Sequence, residues 1–145
     1  MCFNHHRLCH RQTCQRLYAP SAALPTCVPC LQIVVSVAEH HANMVPWHLL
    51  CEATGATLKH VRLNANEEVD MDHLATQVTE KTKLVALVHV SNVLGSVLPT
   101  AQVAEVAHNR GAKVLLDCCQ SVPHMPVDVQ ARLFLIHSAV RCVHA

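Results

Sequence analysis

The alternation of short apolar runs with longer amphipathic segments between residues 33 and 130 is the feature that most constrains the fold. Residues 84–90 form a nearly continuous apolar run, which is typical of a strand buried on both faces. Shorter runs at 33–37, 57–63 and 113–117 also read as strands. The segments between them have helical periodicity, so the sequence predicts an α/β fold with a mainly parallel sheet flanked by helices.

Polar residues stand where the helices of this pattern should begin. Asn43, Asp70 and Thr100 are each predicted to cap a helix, and Gly55 and Gly111 are predicted to end the first and the last of them. The helix after Asp70 runs through Val78 and would bury Met71, Leu74 and Val78.

The helix after Asn43 is expected to place its apolar residues on one buried face. Pro46 is compatible with this helix if it lies in the first turn, where no backbone donor is lost. The predicted buried face consists of Val45, Leu49, Leu50 and Ala53.

Composition narrows the class of protein. With 145 residues, 51% of them hydrophobic and 14% charged, the chain suits one domain or part of one. A net charge of +1 gives no electrostatic reason to expect nucleic-acid binding. No apolar run reaches the roughly 18 to 20 residues of a membrane span. Nine cysteines, an odd number, without a secretory signal pattern favour reduced thiols in a soluble intracellular protein.

The two ends of the chain differ from this regular part. Residues 1–32 are unassigned: they contain no acidic residue, have no lasting periodicity, and look like an organellar transit peptide or a mistranslated segment. Residues 131–145 form an unassigned tail, in which 134–136 is a candidate strand without a turn signal. Neither flank is expected to pack into the core.

Four polar residues follow strand ends of the predicted sheet: His40, Asn92, Asp117 and Gln120. If the strands are parallel, these residues lie on one rim, where open α/β sheets bind ligands. Ordinary loop polarity is the alternative explanation.

Three motifs follow one another along this part of the chain. They are Glu-His-His-Ala-Asn-x-Val-Pro-Trp at 39–47, His-Val-Ser-Asn-Val-Leu-Gly at 89–95, and Asp-x-Cys-Gln-Ser-Val-Pro-His-Met-x-Val-Asp-Val-Gln at 117–130. With these motifs the chain resembles, over about 33–130, the SUF-type cysteine desulfurases of the class V aminotransferase family, and most closely the chloroplast members. The resemblance implies part of the large domain of a pyridoxal 5'-phosphate (PLP) transferase of fold type I, with L-cysteine as substrate, a homodimeric full-length protein and a role in iron–sulfur cluster assembly.

The resemblance also assigns roles to the four rim residues. His40 would stack on the pyridine ring of PLP, and Asp117 would pair with its pyridinium nitrogen, which keeps the ring an electron sink. Asn92 and Gln120 would donate hydrogen bonds to the phenolic oxygen. His41 receives no role beyond that of a polar residue at a helix start, and Cys118 and Cys119 would be small residues in a tight turn.

Three parts of the family pattern are missing from the sequence. The Schiff-base lysine should fall near Val143, but the four lysines are Lys59, Lys81, Lys83 and Lys113. The phosphate-binding loop has no counterpart in residues 1–32, and the persulfide-forming cysteine lies far downstream in the family. The resemblance stops after Gln130, as a frameshift would make it stop, so no catalytic residue is assigned and the chain is expected to be an inactive desulfurase fragment.

Three other interpretations stay open. A zinc module could use Cys27 and Cys30 with nearby histidines, although a second paired knuckle is absent, and no metal ligands are assigned. A non-catalytic fragment could pair with a full-length desulfurase. Another class V enzyme, such as a selenocysteine lyase, would share the same motifs.

Overall fold

The computed structural model describes residues 31–126 and the backbone of 134–137. Five strands form one sheet: β1 (Gln32–Ser36), β2 (Thr57–Val61), β3 (Thr82–Val88), β4 (Lys113–Asp117) and β5 (Phe134–His137). Three helices connect the first four strands: α1 (His41–Thr54), α2 (Met71–Gln77) and α3 (Thr100–His108). The sequence predicts this alternation, and the α/β class is confirmed.

Every strand pair of the sheet is parallel, and the strand order is β2-β1-β3-β4-β5. The central strands β1, β3 and β4 consist mostly of buried Ile, Val, Leu and Ala, as strands covered on both faces require. The chain runs from β1 outward to β2 and then crosses to β3 on the other side of β1. The sheet therefore has a topological switch point between β1 and β3.

The helices cover both faces of the sheet. Helices α2 and α3 pack on one face through Leu74, Val103 and Ala107, while α1 packs on the other through Trp47 and Cys51. Successive residues of β1 alternate between these two layers: Val34 belongs to the first, and Ile33 and Val35 belong to the second.

The cap of α2 is as predicted, but that of α3 is not. The Asp70 side chain accepts a hydrogen bond from the His73 amide at 2.9 Å, and Leu74 and Val78 are buried. Helix α3 has Pro99 at its N-cap position, so Thr100 is its first residue and not its cap. Gly111 adopts a positive φ of 71° after the end of α3.

The start and the buried face of α1 differ from the prediction. The N-cap is His40, whereas Asn43 lies inside the helix and is buried. Pro46 consequently lies within the helix and not in its first turn. Val45 and Leu49 are 45% and 49% exposed, because the buried stripe is Asn43, Trp47 and Cys51, four residues apart.

Part of the predicted behaviour of the flanks is wrong. Phe134–His137 forms strand β5, in which Leu135 pairs with Leu115 of β4. The candidate strand at 134–136 is thus confirmed, but so short a run has too little periodicity to show from the sequence that it joins the sheet. Residues 1–30, 127–133 and 138–145, with the expectations that fall on them, lie outside the described residues.

Candidate functional site at the carboxyl edge of the sheet

The carboxyl ends of β1, β3 and β4 meet at one edge of the sheet. Asp117, the last residue of β4, is the register partner of Val88, the last residue of β3, and its backbone oxygen accepts the His89 amide at 2.9 Å. Glu39, which follows β1, accepts the Val88 amide at 3.0 Å. Asp117 and the residue before His40 therefore lie on the same edge, as the sequence analysis expected.

Asp117 is a buried carboxylate with 4% of its surface exposed. Its Oδ1 accepts a hydrogen bond from the Cys119 amide at 3.0 Å, which fixes the turn after β4. A cation beside a buried carboxyl group favours its ionised form over its protonated form. The position is therefore suited to a positively charged ring nitrogen.

His40 presents an exposed imidazole whose orientation is set by its capping role. Its Nδ1 accepts a hydrogen bond from the Ala42 amide at 3.2 Å, so in the neutral ring the proton is on Nε2. The ring of His41, the first residue of α1, lies edge-on to it with a centroid distance of 6.1 Å. His40 thus offers a flat, oriented surface at the start of the helix.

Asn92 and Gln120 are exposed residues in the loops that follow β3 and β4. Both loops are at the same edge as His40 and Asp117, because the strands are parallel. The structure thus places all four rim residues at one edge, and their common action on a ligand stays a prediction.

A cavity near this edge is not formed by the four rim residues. It measures about 590 Å³ and lies at the switch point, between Ala38 after β1 and Val88 and Ser91 of the β3 end. Its other walls come from α2, α3 and the loops before them, including Met71 and Leu98. Leu98 and Met71 of its lining also belong to the core layer on the α2–α3 side of the sheet.

Sequence reasoning missed the part that Glu39 plays at this edge. Glu39 is only 8% exposed and accepts hydrogen bonds from Ser36 Oγ and Asn43 Nδ2, both at 2.6 Å. Burial raises the pKa of Glu39, whereas the bonds from Ser36, Asn43 and Val88 oppose the rise and Asp117 adds to it. The signal in the sequence is an acidic residue three positions after the end of an apolar strand.

Cys118 is a core residue and not a nucleophile of this site. It is fully buried, its Sγ lies 3.9 Å from His89 Nδ1, and burial raises the pKa of its thiol. A buried thiol with a raised pKa is poorly reactive. The prediction of a small residue that fills the turn is confirmed for Cys118.

The sequence leaves a zinc module open as an alternative and predicts no membrane span. Within residues 31–126, no three His, Cys, Asp or Glu side chains are grouped so that they could hold a metal ion. Cys27 and Cys30 lie outside the described residues. Over that part of the chain, no helix is long and apolar enough to cross a membrane.

The fold and this edge define the class of protein: part of the large domain of a PLP-dependent enzyme of fold type I. The structure superimposes on a crystal structure of a cysteine desulfurase from Escherichia coli with a TM-score of 0.70 and 33% identity, over 86% of this chain and 36% of the other. A second similar structure is a C-DES variant with glycine covalently linked to its PLP cofactor (TM-score 0.63, 26% identity, 72% of this chain and 29% of the other).

The chain belongs to the aminotransferase class-V family, whose model matches residues 12–138. A probable cysteine desulfurase from Synechocystis is 52% identical over 99 residues, which are 68% of this chain and 24% of that protein. The chain therefore spans about a quarter of the length of the curated relatives that it matches.

Proposed function

We propose that this chain is the PLP-binding strand-edge portion of a cysteine desulfurase, the enzyme that converts L-cysteine to alanine and an enzyme-bound persulfide for iron–sulfur cluster assembly. The observation that carries the proposal is the buried Asp117 carboxylate at the end of β4, on the same edge as His40. The similarity to cysteine desulfurases supports the choice of substrate. A chloroplast or another organelle is the proposed location.

The residues present fit PLP. A buried carboxylate suits the protonated pyridine nitrogen, an exposed oriented imidazole suits stacking, and the Asn92 and Gln120 amides suit the phenolic oxygen. The bound cofactor supplies an electron sink for chemistry at the substrate's α-carbon. The chain's own part is to bind and orient the ring and to hold the proton on its nitrogen through Asp117.

Binding in this chain should be non-covalent. Lys81, Lys83 and Lys113 lie at the amino ends of β3 and β4, and Lys59 lies within the edge strand β2. A hydrogen bond to a charged group nets about 1.5–3 kcal/mol and a neutral one about 0.5–1.5, whereas association costs at least about 4 kcal/mol. The expected result is weak, reversible binding and no release of sulfur from L-cysteine.

The test compares PLP with 4'-deoxypyridoxine 5'-phosphate, which lacks the aldehyde. Quenching of Trp47, the chain's single tryptophan, should report similar affinities for both, because no lysine contributes. Asp117→Asn keeps an acceptor for the Cys119 amide but removes the charge, and it should weaken both ligands. Asp72→Asn, an exposed acid at the start of α2, is the matched control.

Two results would contradict the proposal. If Asp117→Asn binds both ligands with unchanged affinity, Asp117 does not belong to a PLP site. If the chain produces alanine and sulfide in an Asp117-dependent reaction, the prediction that it is inactive is wrong.

A second candidate is a non-catalytic fragment that pairs with a full-length desulfurase, which we propose to be a homodimer. Exposed apolar side chains in the carboxyl-edge loops favour it: Val37, Val93 and Val97 are 51%, 82% and 56% exposed. Light scattering of the chain mixed with the E. coli relative should then show a complex that Val93→Asp weakens. Two separate species at all ratios would exclude this candidate.

A further inference from the structure

The carboxylate of Glu39 joins three elements at the carboxyl edge. Its Oε1 accepts hydrogen bonds from Ser36 Oγ at the end of β1, at 2.6 Å, and from the Val88 amide at the end of β3, at 3.0 Å. Its Oε2 accepts from Asn43 Nδ2 in the first turn of α1, at 2.6 Å. One side chain thus links both strands of the switch point to the helix that follows β1.

The direction of these bonds is fixed by chemistry. The indole nitrogen of Trp47 can only donate, and it donates to Asn43 Oδ1 at 3.1 Å, so the amide nitrogen of Asn43 must face Glu39. The backbone amide of Val88 also can only donate. Both oxygens of Glu39 must therefore accept, which a Gln side chain of the same length cannot do, because its amide nitrogen only donates.

Glu39 is adjacent in sequence to His40, whose ring would stack on the cofactor. Val88, which it also holds, is the register partner of Asp117. The Glu39 carboxylate therefore connects the backbone next to His40 to strand β3. Strand β3 in turn pairs with β4, which ends at Asp117.

We propose that Glu39 is the positioning residue of the carboxyl-edge site: it sets the placement of His40 relative to Asp117 by tying the start of α1 to the end of β3. For its ligand this inference rests on the proposed function, but the tie between α1 and β3 can be tested without any ligand. Glu39 does not touch the cofactor in this scheme.

The first measurement is amide hydrogen exchange in Glu39→Gln. The substituted amide keeps one acceptor oxygen but turns a donor toward either Asn43 or the Ser36 and Val88 pair, so one side of the tie must break. Either the Val88 amide or the Trp47 indole N–H should exchange faster, depending on which side the new amide nitrogen faces, while amides in the middle of the sheet keep their rates. Glu39→Asp, a shorter carboxylate, should restore protection in part. The reference amides are those of Val34, Val85 and Val114.

The second measurement is affinity for 4'-deoxypyridoxine 5'-phosphate, which should fall about tenfold in Glu39→Gln, the effect of losing one charge-assisted hydrogen bond. Glu52→Gln on the exposed side of α1 is the matched control and should change neither measurement. If Glu39→Gln does not fold, Ser36→Ala removes a single donor and should show the same local effect on a smaller scale.

Three outcomes separate the possibilities. Uniformly faster exchange across the sheet would mean a general structural role and would overturn the inference, as would unchanged exchange at both Val88 and the Trp47 indole. If the wild-type chain binds no PLP analogue, the proposed function fails, whereas local loss of protection at either group would still support the tie.

Discussion

At the scale of single residues, the carboxyl edge shows how burial sets protonation. His89 is 8% exposed, and burial lowers its pKa from the ordinary value of 6.5. A histidine that is buried in its neutral form stabilises the fold only while it stays neutral. Burial likewise raises the pKa of Glu39, so the edge holds two groups whose charge states depend on folding.

The His89 shift predicts a pH dependence with a definite sign. The unfolded chain binds the His89 proton first as the pH falls, so stability decreases as the pH drops from about 6.5 through the lowered folded-state pKa. His89→Gln should therefore lose less stability than the wild type between about pH 8 and about pH 5.5, measured by urea unfolding. His108→Gln, an exposed control at the end of α3, should follow the wild type, and an unchanged slope in His89→Gln would refute the prediction.

At the scale of elements, helix α1 contains a proline at an interior position, where proline is unfavourable. Pro46 lies inside the helix, where it cannot donate a backbone hydrogen bond. Pro46→Ala should raise the free energy of unfolding by about 2 kcal/mol, since helix propensity favours Ala by about 3 kcal/mol and the greater freedom of the unfolded chain offsets about 0.4–1 kcal/mol of it. Urea unfolding measures this change. Glu52→Ala, exposed on the same helix, should stay within about 0.5 kcal/mol, and a destabilised Pro46→Ala would show that the proline has a packing role.

The elements also show where sequence reasoning succeeds and where it cannot. The cap at Asp70 and the core strands β3 and β4 were predictable because propensity, polarity and burial agree there. The buried face of α1 was not, because apolar periodicity pointed to Val45 and Leu49. Asn43 lies in the interior since Glu39 and Trp47 satisfy its amide, a pairing that no linear pattern contains.

The same limit applies to the candidate site. The rim residues could be named because each follows a strand and the motifs resemble a known family. Glu39 could not be given its role in advance, because its donors come from residues 3, 4 and 49 positions away. Its role depends on which strands become neighbours, and sequence spacing does not give that order.

At the scale of the whole molecule, stability should depend on the middle of the sheet and not on the exposed side of α1. Leu87 in β3 is fully buried, whereas Leu49 is half exposed. Leu87→Ala should lower the free energy of unfolding by about 2–5 kcal/mol, and Leu49→Ala should change it by no more than about 0.5 kcal/mol. Chemical denaturation of both variants checks this difference, and comparable losses would mean that the exposed side of α1 is covered in solution.

The position of β1 has a consequence for the order in which the fold can form during synthesis. Val34 pairs with Lys59 on one side and with Val85 on the other, so its second neighbour is synthesised about 51 residues later. At about 5–20 residues per second on the ribosome, that interval lasts roughly 3–10 seconds. During this interval the edge of β1 that will pair with β3 has no partner strand. Its free backbone N–H and C=O groups can pair with strands of other nascent chains.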